Sequence, residues 1–142
     1  MGKLEFTRRA VATAWLSIAA LVPAAFAQDA RITFLHVNDI YVMAGKNGGG
    51  LAPLMTLIER ERARARGQAL VTFGGDLISP SVESSLTRGS HMIALMNAIG
   101  VQAAVLGNHE FDFGPEILAE RIAESGFPWL ASNVRDRDGA SF

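Results

Sequence analysis

The sequence predicts an α/β fold built on a mainly parallel sheet, and three observations carry that expectation. Short apolar runs recur at residues 31–37, 69–73, 103–106 and 127–132, the first of them rich in β-branched residues. The longer segments between them place apolar side chains at helical spacing. Glycine or proline stands where those segments should stop or start. Strands joined through helices rather than tight turns run parallel by crossover connections, so the order is β-α-β-α-β-α-β. No internal repeat or interdomain linker interrupts the 142 residues.

Taken in order, residues 31–37 (RITFLHV) read as a buried strand. Its His36 is expected to be a buried structural histidine. Residues 38–50 form a loop ending in three glycines. Its Lys46-Asn47-Gly48-Gly49-Gly50 stretch lacks the Gly-Lys-Ser/Thr of a P-loop and reads as a rim loop. Residues 51–66 read as a helix with Leu51, Leu54, Met55 and Ile58 on one face, stopped by Gly67 as a left-handed cap. Its end, ERERARAR, is a solvated surface on which Glu59–Arg62 and Glu61–Arg64 pair at i,i+3. Residues 69–73 (ALVTF) form the second strand, followed by Gly74-Gly75-Asp76 and a polar loop at 80–88. A helix over 90–99 closes at Gly100, with His91 exposed at its start. The third strand, 103–106, leads into Gly107-Asn108-His109-Glu110. A helix over 115–125 has Pro115 near its first position. Residues 127–132 form the last strand, with Pro128 at its start.

Composition narrows the function classes. The chain has 13 Lys+Arg against 14 Asp+Glu, which argues against a nucleic-acid polymer as partner. It has no cysteine, which excludes disulfides, thiolate metal sites and thiol nucleophiles. Lys3, Arg8 and Arg9 precede an apolar run over residues 10–22, then Pro23 and the small-x-small triplet Ala25-Phe26-Ala27. That is the layout of an export signal cleaved after Ala27. The run of about 13 residues falls short of the roughly 20 of a spanning helix, so no stable membrane anchor is expected. Thr7-Arg8-Arg9-Ala10-Val11 also resembles a twin-arginine signal, and both export routes stay open. Removing residues 1–27 takes away three basic residues and one acidic one, leaving 115 residues with a net charge of −3. The product is expected in the periplasm or outside the cell.

Three successive strands end in metal-capable or titratable side chains. These are Asn38-Asp39, then Asp76, then Asn108-His109-Glu110 followed by Asp112. In open α/β sheets the ligand crevice lies at the carboxyl ends of the strands, so these side chains share one rim. Carboxylate, amide oxygen and imidazole suit hard or borderline divalent ions such as Mn, Mg, Zn or Fe. Each residue alone also has a local structural use, as a turn or helix cap.

Leu35-His36-Val37-Asn38-Asp39, Gly49-Gly50-Leu51, Gly74-Gly75-Asp76, Met96-Asn97-Ala98-Ile99-Gly100 and Gly107-Asn108-His109-Glu110-Phe111-Asp112-Phe113-Gly114 occur in this order. Together they resemble the bacterial 5′-nucleotidase branch of the calcineurin-like metallophosphoesterases. Phe127-Pro128 and Ala131-Ser132-Asn133-Val134 continue the pattern, so the resemblance covers about Ile32 to Val134. It implies the amino-terminal half of a four-layer αββα sandwich. It also implies two divalent ions and attack of a metal-bound water on a small nucleotide phosphate ester. By resemblance Asp39 binds the first metal, Asp76 bridges both, and Asn108 gives its amide oxygen to the second. His109 supports charge on the phosphate or leaving oxygen, and Asp112 orients its imidazole.

Two departures stand out. The family's Asp-x-His is here Asp39-Ile40-Tyr41, and a phenol titrating near 10 is a poor ligand at neutral pH. The remaining metal ligands of the family are downstream histidines, including a Gly-His-x-His element. The three histidines here are His36, His91 and His109, which leave those roles unfilled. The chain is therefore expected to be a fragment supplying half a site. Two other readings stay open: the thiosulfate-esterase branch of the superfamily, and an exported non-catalytic binding protein on a degenerate scaffold.

Overall fold

The computed structural model describes residues 30–45 and 49–140. The expected leader at 1–27, its cleavage site, and part of the rim loop at 46–50 lie outside the described residues.

The first strand, β1 (Ile32–Val37), runs into the site loop. Helix α1 (Leu51–Arg64) returns the chain to β2 (Gln68–Phe73). Then follow α2 (Val82–Thr87), α3 (Ser90–Ile99) and β3 (Ala103–Val105). A 3₁₀ turn (His109–Phe111) leads to α4 (Pro115–Glu124) and β4 (Trp129–Leu130). The four strands pair in the linear order β1-β2-β3-β4, all parallel, with Ile32 opposite Gln68 and Val37 opposite Phe73. The expected parallel α/β architecture is thus the observed one. Crossovers of the usual right hand in a simple 1-2-3-4 order place the helices on one face of the sheet.

That face holds the core. Val71, Phe73 and Ala104 of the sheet pack with Leu51 and Ile58 of α1 and with Met92, Ile93, Met96 and Ile99 of α3. The opposite face is open, and it leaves Ile32, Phe34, Val105 and Leu130 exposed. This alternation explains why His36 is not buried as expected. It shares the open face with Phe34 and bonds Thr72 Oγ1 through Nδ1 at 2.9 Å.

Several local expectations are corrected. Residues 80–88 are not a polar loop throughout, because Ser81 caps α2 by accepting from the Ser84 N–H at 2.9 Å. Such a cap stabilises even a short helix. Helix α1 ends at Arg64 with Ala65 extended, so Gly67 is not its left-handed cap. Gly67 instead passes the Arg31 carbonyl so closely that a Cβ would lie 2.3 Å from its oxygen. Gly100, at φ 74°, does close α3. Arg62 does not pair with Glu59. Its guanidinium reaches the Ile99 and Gly100 carbonyls at 3.1 and 2.8 Å, satisfying the end of α3, while Glu61–Arg64 forms at 3.2 Å. His91 is half-buried rather than exposed, bonded to Thr87 Oγ1 at 2.6 Å. The last strand shortens to Trp129–Leu130, since only these residues meet β3.

Candidate metal and phosphate site

Backbone contacts bring the first two strand ends together. Gly74 donates to the Val37 carbonyl at 2.8 Å, and Asp39 donates to the Gly75 carbonyl at 3.1 Å. Gly74 has no room for a side chain, because a Cβ there would lie 2.9 Å from both Asn38 Cβ and His36 Nε2. Asp39 and Asp76 both take left-handed backbone conformations, at φ 56° and 65°. Non-glycine residues in that region are uncommon, although aspartate tolerates it better than most.

At the end of β1, both Asp39 oxygens are engaged. The Tyr41 hydroxyl donates to Oδ1 at 2.7 Å, and the Asn38 amide donates to Oδ2. The Tyr41 phenol is pushed up to about 12, first by this bond to Asp39, then by burial and by the charges of Asp39, Asp76 and Glu110. It stays protonated at neutral pH. Its ring meets that of His109 edge-on, with centroids 5.7 Å apart. Tyr41 therefore links the loop after β1 to the loop after β3.

The loop after β3 carries the remaining groups. Its 3₁₀ turn closes through Phe111 N–H to the Asn108 carbonyl at 3.2 Å, and Gly114 N–H to the Phe111 carbonyl at 3.0 Å. The turn sets His109 and Asp112 on the same side. His109 Nδ1 lies 2.7 Å from Asp112 Oδ2. The bond to Asp112 holds the His109 imidazole above its usual range, against an opposing effect of burial, and the charges of Asp112, Asp76 and Glu110 add to the rise. Asp112 is held below the usual carboxylate range by the Ser79 hydroxyl first and by His109 second. The His109 N–H donates to Asp76 Oδ1 at 3.0 Å, tying this loop to the one after β2.

The structure thus gathers Asp39, Tyr41, Asp76, His109 and Asp112 along one rim, and Asn108, exposed, directly precedes His109 in the loop after β3. Glu110, which the sequence groups with the rim carboxylates, turns inward and is completely buried. Ser79 was not singled out by the sequence. It is buried beneath the His109–Asp112 pair, and one serine among Ser79, Ser81, Ser84 and Ser85 gives no sign of that. A cavity of about 190 Å³ opens beside it, lined by Ser79, Pro80, Ser81, Ser85, Asp112 and Phe113. A larger one, about 320 Å³, lies at the β1 edge against α1 and carries none of these groups.

The donor set fits a divalent ion in kind, since Asp39, Asp76 and Asn108 offer carboxylate and amide oxygens. It is a partial set. Among the described residues, no three His, Cys, Asp or Glu side chains gather as a metal cage.

The calcineurin-like phosphoesterase family model matches residues 32–138, which includes every one of these groups. The chain belongs to the calcineurin-like phosphoesterase family. It is 34% identical to the 5′-nucleotidase of Homo sapiens over 142 residues, covering 89% of this chain and 24% of that protein. The chain therefore spans about a quarter of the length of the curated relatives it matches. The sulfate thiohydrolase SoxB of Thermus thermophilus superposes with TM-score 0.70 over 82% of this chain and 32% of its own. At 21% identity, that likeness concerns the fold. The NAD nucleotidase of Haemophilus influenzae superposes with TM-score 0.66 at 28% identity, over 76% of this chain and 24% of its own.

Proposed function

We propose that this chain carries the amino-terminal metal-donor half of a divalent-metal-dependent phosphoesterase acting on small nucleotide phosphate esters. One observation carries the reading. Asp39 and Asp76 sit at the ends of neighbouring parallel strands, both in the left-handed region, and the His109–Asp112 pair shares their rim. Non-glycine residues in the left-handed region cluster at functional sites, and here two of them stand on adjacent loops of the same rim.

Asp39, Asp76 and Asn108 are the residues that would hold divalent ions. Divalent ions there would supply Lewis acidity, charge neutralisation on phosphate oxygens and an activated water. Tyr41, being neutral, orients Asp39 rather than adding an anionic ligand. His109 keeps its proton longer than a free imidazole because Asp112 bonds Nδ1. Nε2 is then the nitrogen that supports charge on the phosphate or the leaving oxygen. Ser79 holds Asp112 in place for that bond. The names of the human and Haemophilus relatives support a nucleotide as substrate class.

Residues 28–142 are in this reading part of a larger phosphoesterase domain, and residues 1–27 are its export signal. The apolar open face around Ile32, Phe34 and Leu130 is the kind of surface that a further layer covers. Among the described residues no helix is long and apolar enough to cross a membrane. The reading predicts that the 142-residue chain binds Mn²⁺ weakly and does not hydrolyse AMP, for want of the downstream histidine donors. A polypeptide joining it to the downstream half of the domain should hydrolyse AMP. Asp76→Ala should abolish that activity, and His109→Ala should lower kcat by about 10²–10⁴-fold. Mn²⁺ binding and hydrolysis that survive Asp76→Ala unchanged would overturn the assignment.

A further inference from the structure

Glu110 takes no part in the chemistry described above, yet it is among the most deeply buried side chains of the protein, at 0% exposure. Buried carboxylates are rare unless they are partnered. The partners here are backbone amides. Oε2 accepts from the Asp76 N–H at 2.8 Å and from the Gly107 N–H at 2.6 Å. Oε1 accepts from the Leu77 N–H at 2.6 Å and the Ile78 N–H at 3.3 Å. Three of these donors belong to the loop after β2 and one to the loop after β3. Hydrogen bonds from neutral amides to an ionised acceptor are stronger than neutral pairs, and burial strengthens them further.

The four bonds have a directional consequence. Drawing the N–H groups of Asp76, Leu77 and Ile78 onto one centre holds Asp76 in its left-handed turn at φ 65°. Its carboxylate then projects to the rim, where Oδ1 accepts from His109 N–H at 3.0 Å. The space it occupies is the space a Gly107 side chain would need, since a Cβ there would lie 2.1 Å from Oδ1. Asp76, Asn108 and His109 are therefore mutually placed by a bolt that lies beneath them.

We infer that Glu110 is a positioning residue, whose buried carboxylate locks the Asp76 loop to the Gly107–His109 loop and so sets the spacing of the divalent-ion donors. The lock stands on the hydrogen bonds alone, while its effect on ions rests on the function proposed above. The replacement Glu110→Gln keeps the shape but leaves one acceptor oxygen and turns an NH₂ group toward donors.

The test uses the full chain and two measurements, with Met96→Ala as a core variant that lowers stability away from the site. In the metal-free protein, NMR hydrogen exchange at Asp76, Leu77, Ile78 and Gly107 should speed up by at least about tenfold in Glu110→Gln relative to α3 amides. In Met96→Ala it should rise no more at these amides than elsewhere. Mn²⁺ affinity should fall by about 10–100-fold in Glu110→Gln and stay near wild type in Met96→Ala. Glu110→Asp, with the charge kept and the reach shortened, serves if the amide variant does not fold, and the same ordering is expected. Unchanged exchange at the four amides refutes the lock. Faster exchange with unchanged Mn²⁺ affinity refutes the positioning role, as does an equal affinity loss in Met96→Ala. A wild-type chain that binds no Mn²⁺ refutes the proposed function and the ion effect together, and the exchange data still decide the lock.

Discussion

Replacing Gly107 with alanine perturbs the site by a single methyl group. That methyl would lie 2.1 Å from Asp76 Oδ1 and 2.8 Å from both Asp76 Cγ and the Asp76 nitrogen. The neighbour is not the far end of a flexible chain. Asp76 is held through its N–H by Glu110 and through Oδ1 by the His109 N–H. One side must therefore move by about 1 Å, and overpacking of that kind costs about 1–3 kcal/mol. Losing the His109 bond to the displaced carboxylate adds about 1–2 kcal/mol, for a sum of about 2–5 kcal/mol. At about 4 °C per kcal/mol for a domain of this size, the melting midpoint should fall by about 8–20 °C. The assay is thermal unfolding followed by circular dichroism, with Mn²⁺ titration on the same samples. Gly139→Ala is the control, because nothing lies within 4 Å of its added Cβ and only the cost of φ 82° remains. A Gly107→Ala protein melting within about 2 °C of wild type, with Mn²⁺ affinity intact, would refute the argument that these two loops interlock.

Three further outcomes are expected. Burial holds the His91 imidazole below its usual range, with Glu83 pulling weakly the other way. The unfolded chain then takes up the proton first, so stability should fall as pH drops through about 6.5 and below, and urea melts of His91→Gln should lose that part of the slope. An identical slope in the variant would sink this reading. Ser81→Ala should cost about 1 kcal/mol by removing the cap of α2, and Ser81→Asp should largely restore it, as denaturant midpoints will show. Arg62→Ala should cost about 1–3 kcal/mol, since it strips the Ile99 and Gly100 carbonyls of their donor, whereas Glu59→Ala should change stability by less than about 0.5 kcal/mol. Equal effects of these two variants would contradict the observed partners of Arg62.

Much of the fold was legible because its signals are local. The strand at Ile32–Val37, the helix closed by Gly100 and the helix opened by Pro115 each carry their own periodicity and end signals. The errors fall where a distant group competes. Arg62 has a carboxylate within reach on its own helix, yet it goes to carbonyls 37 and 38 residues away. Its i,i+3 partner offered only a solvated pair worth little, while the end of α3 offered unsatisfied acceptors. His36 alternates onto the open face, and one strand's pattern does not say which face will be covered. Ser81 caps a helix too short for hydrophobic periodicity to reveal.

The candidate site divides in the same way. Residue types and their order placed Asp39, Asp76, Asn108, His109 and Asp112 at three strand ends, because parallel crossover topology sends every strand's carboxyl end to one rim. That much the sequence determined by itself, together with the family and the oxygen-rich chemistry of the donors. Which of the clustered acidic groups faces the rim was decided only by the tertiary structure. Glu110 and Asp112 stand two residues apart in one motif. One is buried against four backbone amides, and the other stays at the surface beside His109. The reason is that a tight turn leaves its amides pointing inward, and a buried donor must find an acceptor wherever the fold brings one. Here that acceptor comes from a loop more than thirty residues further along the chain.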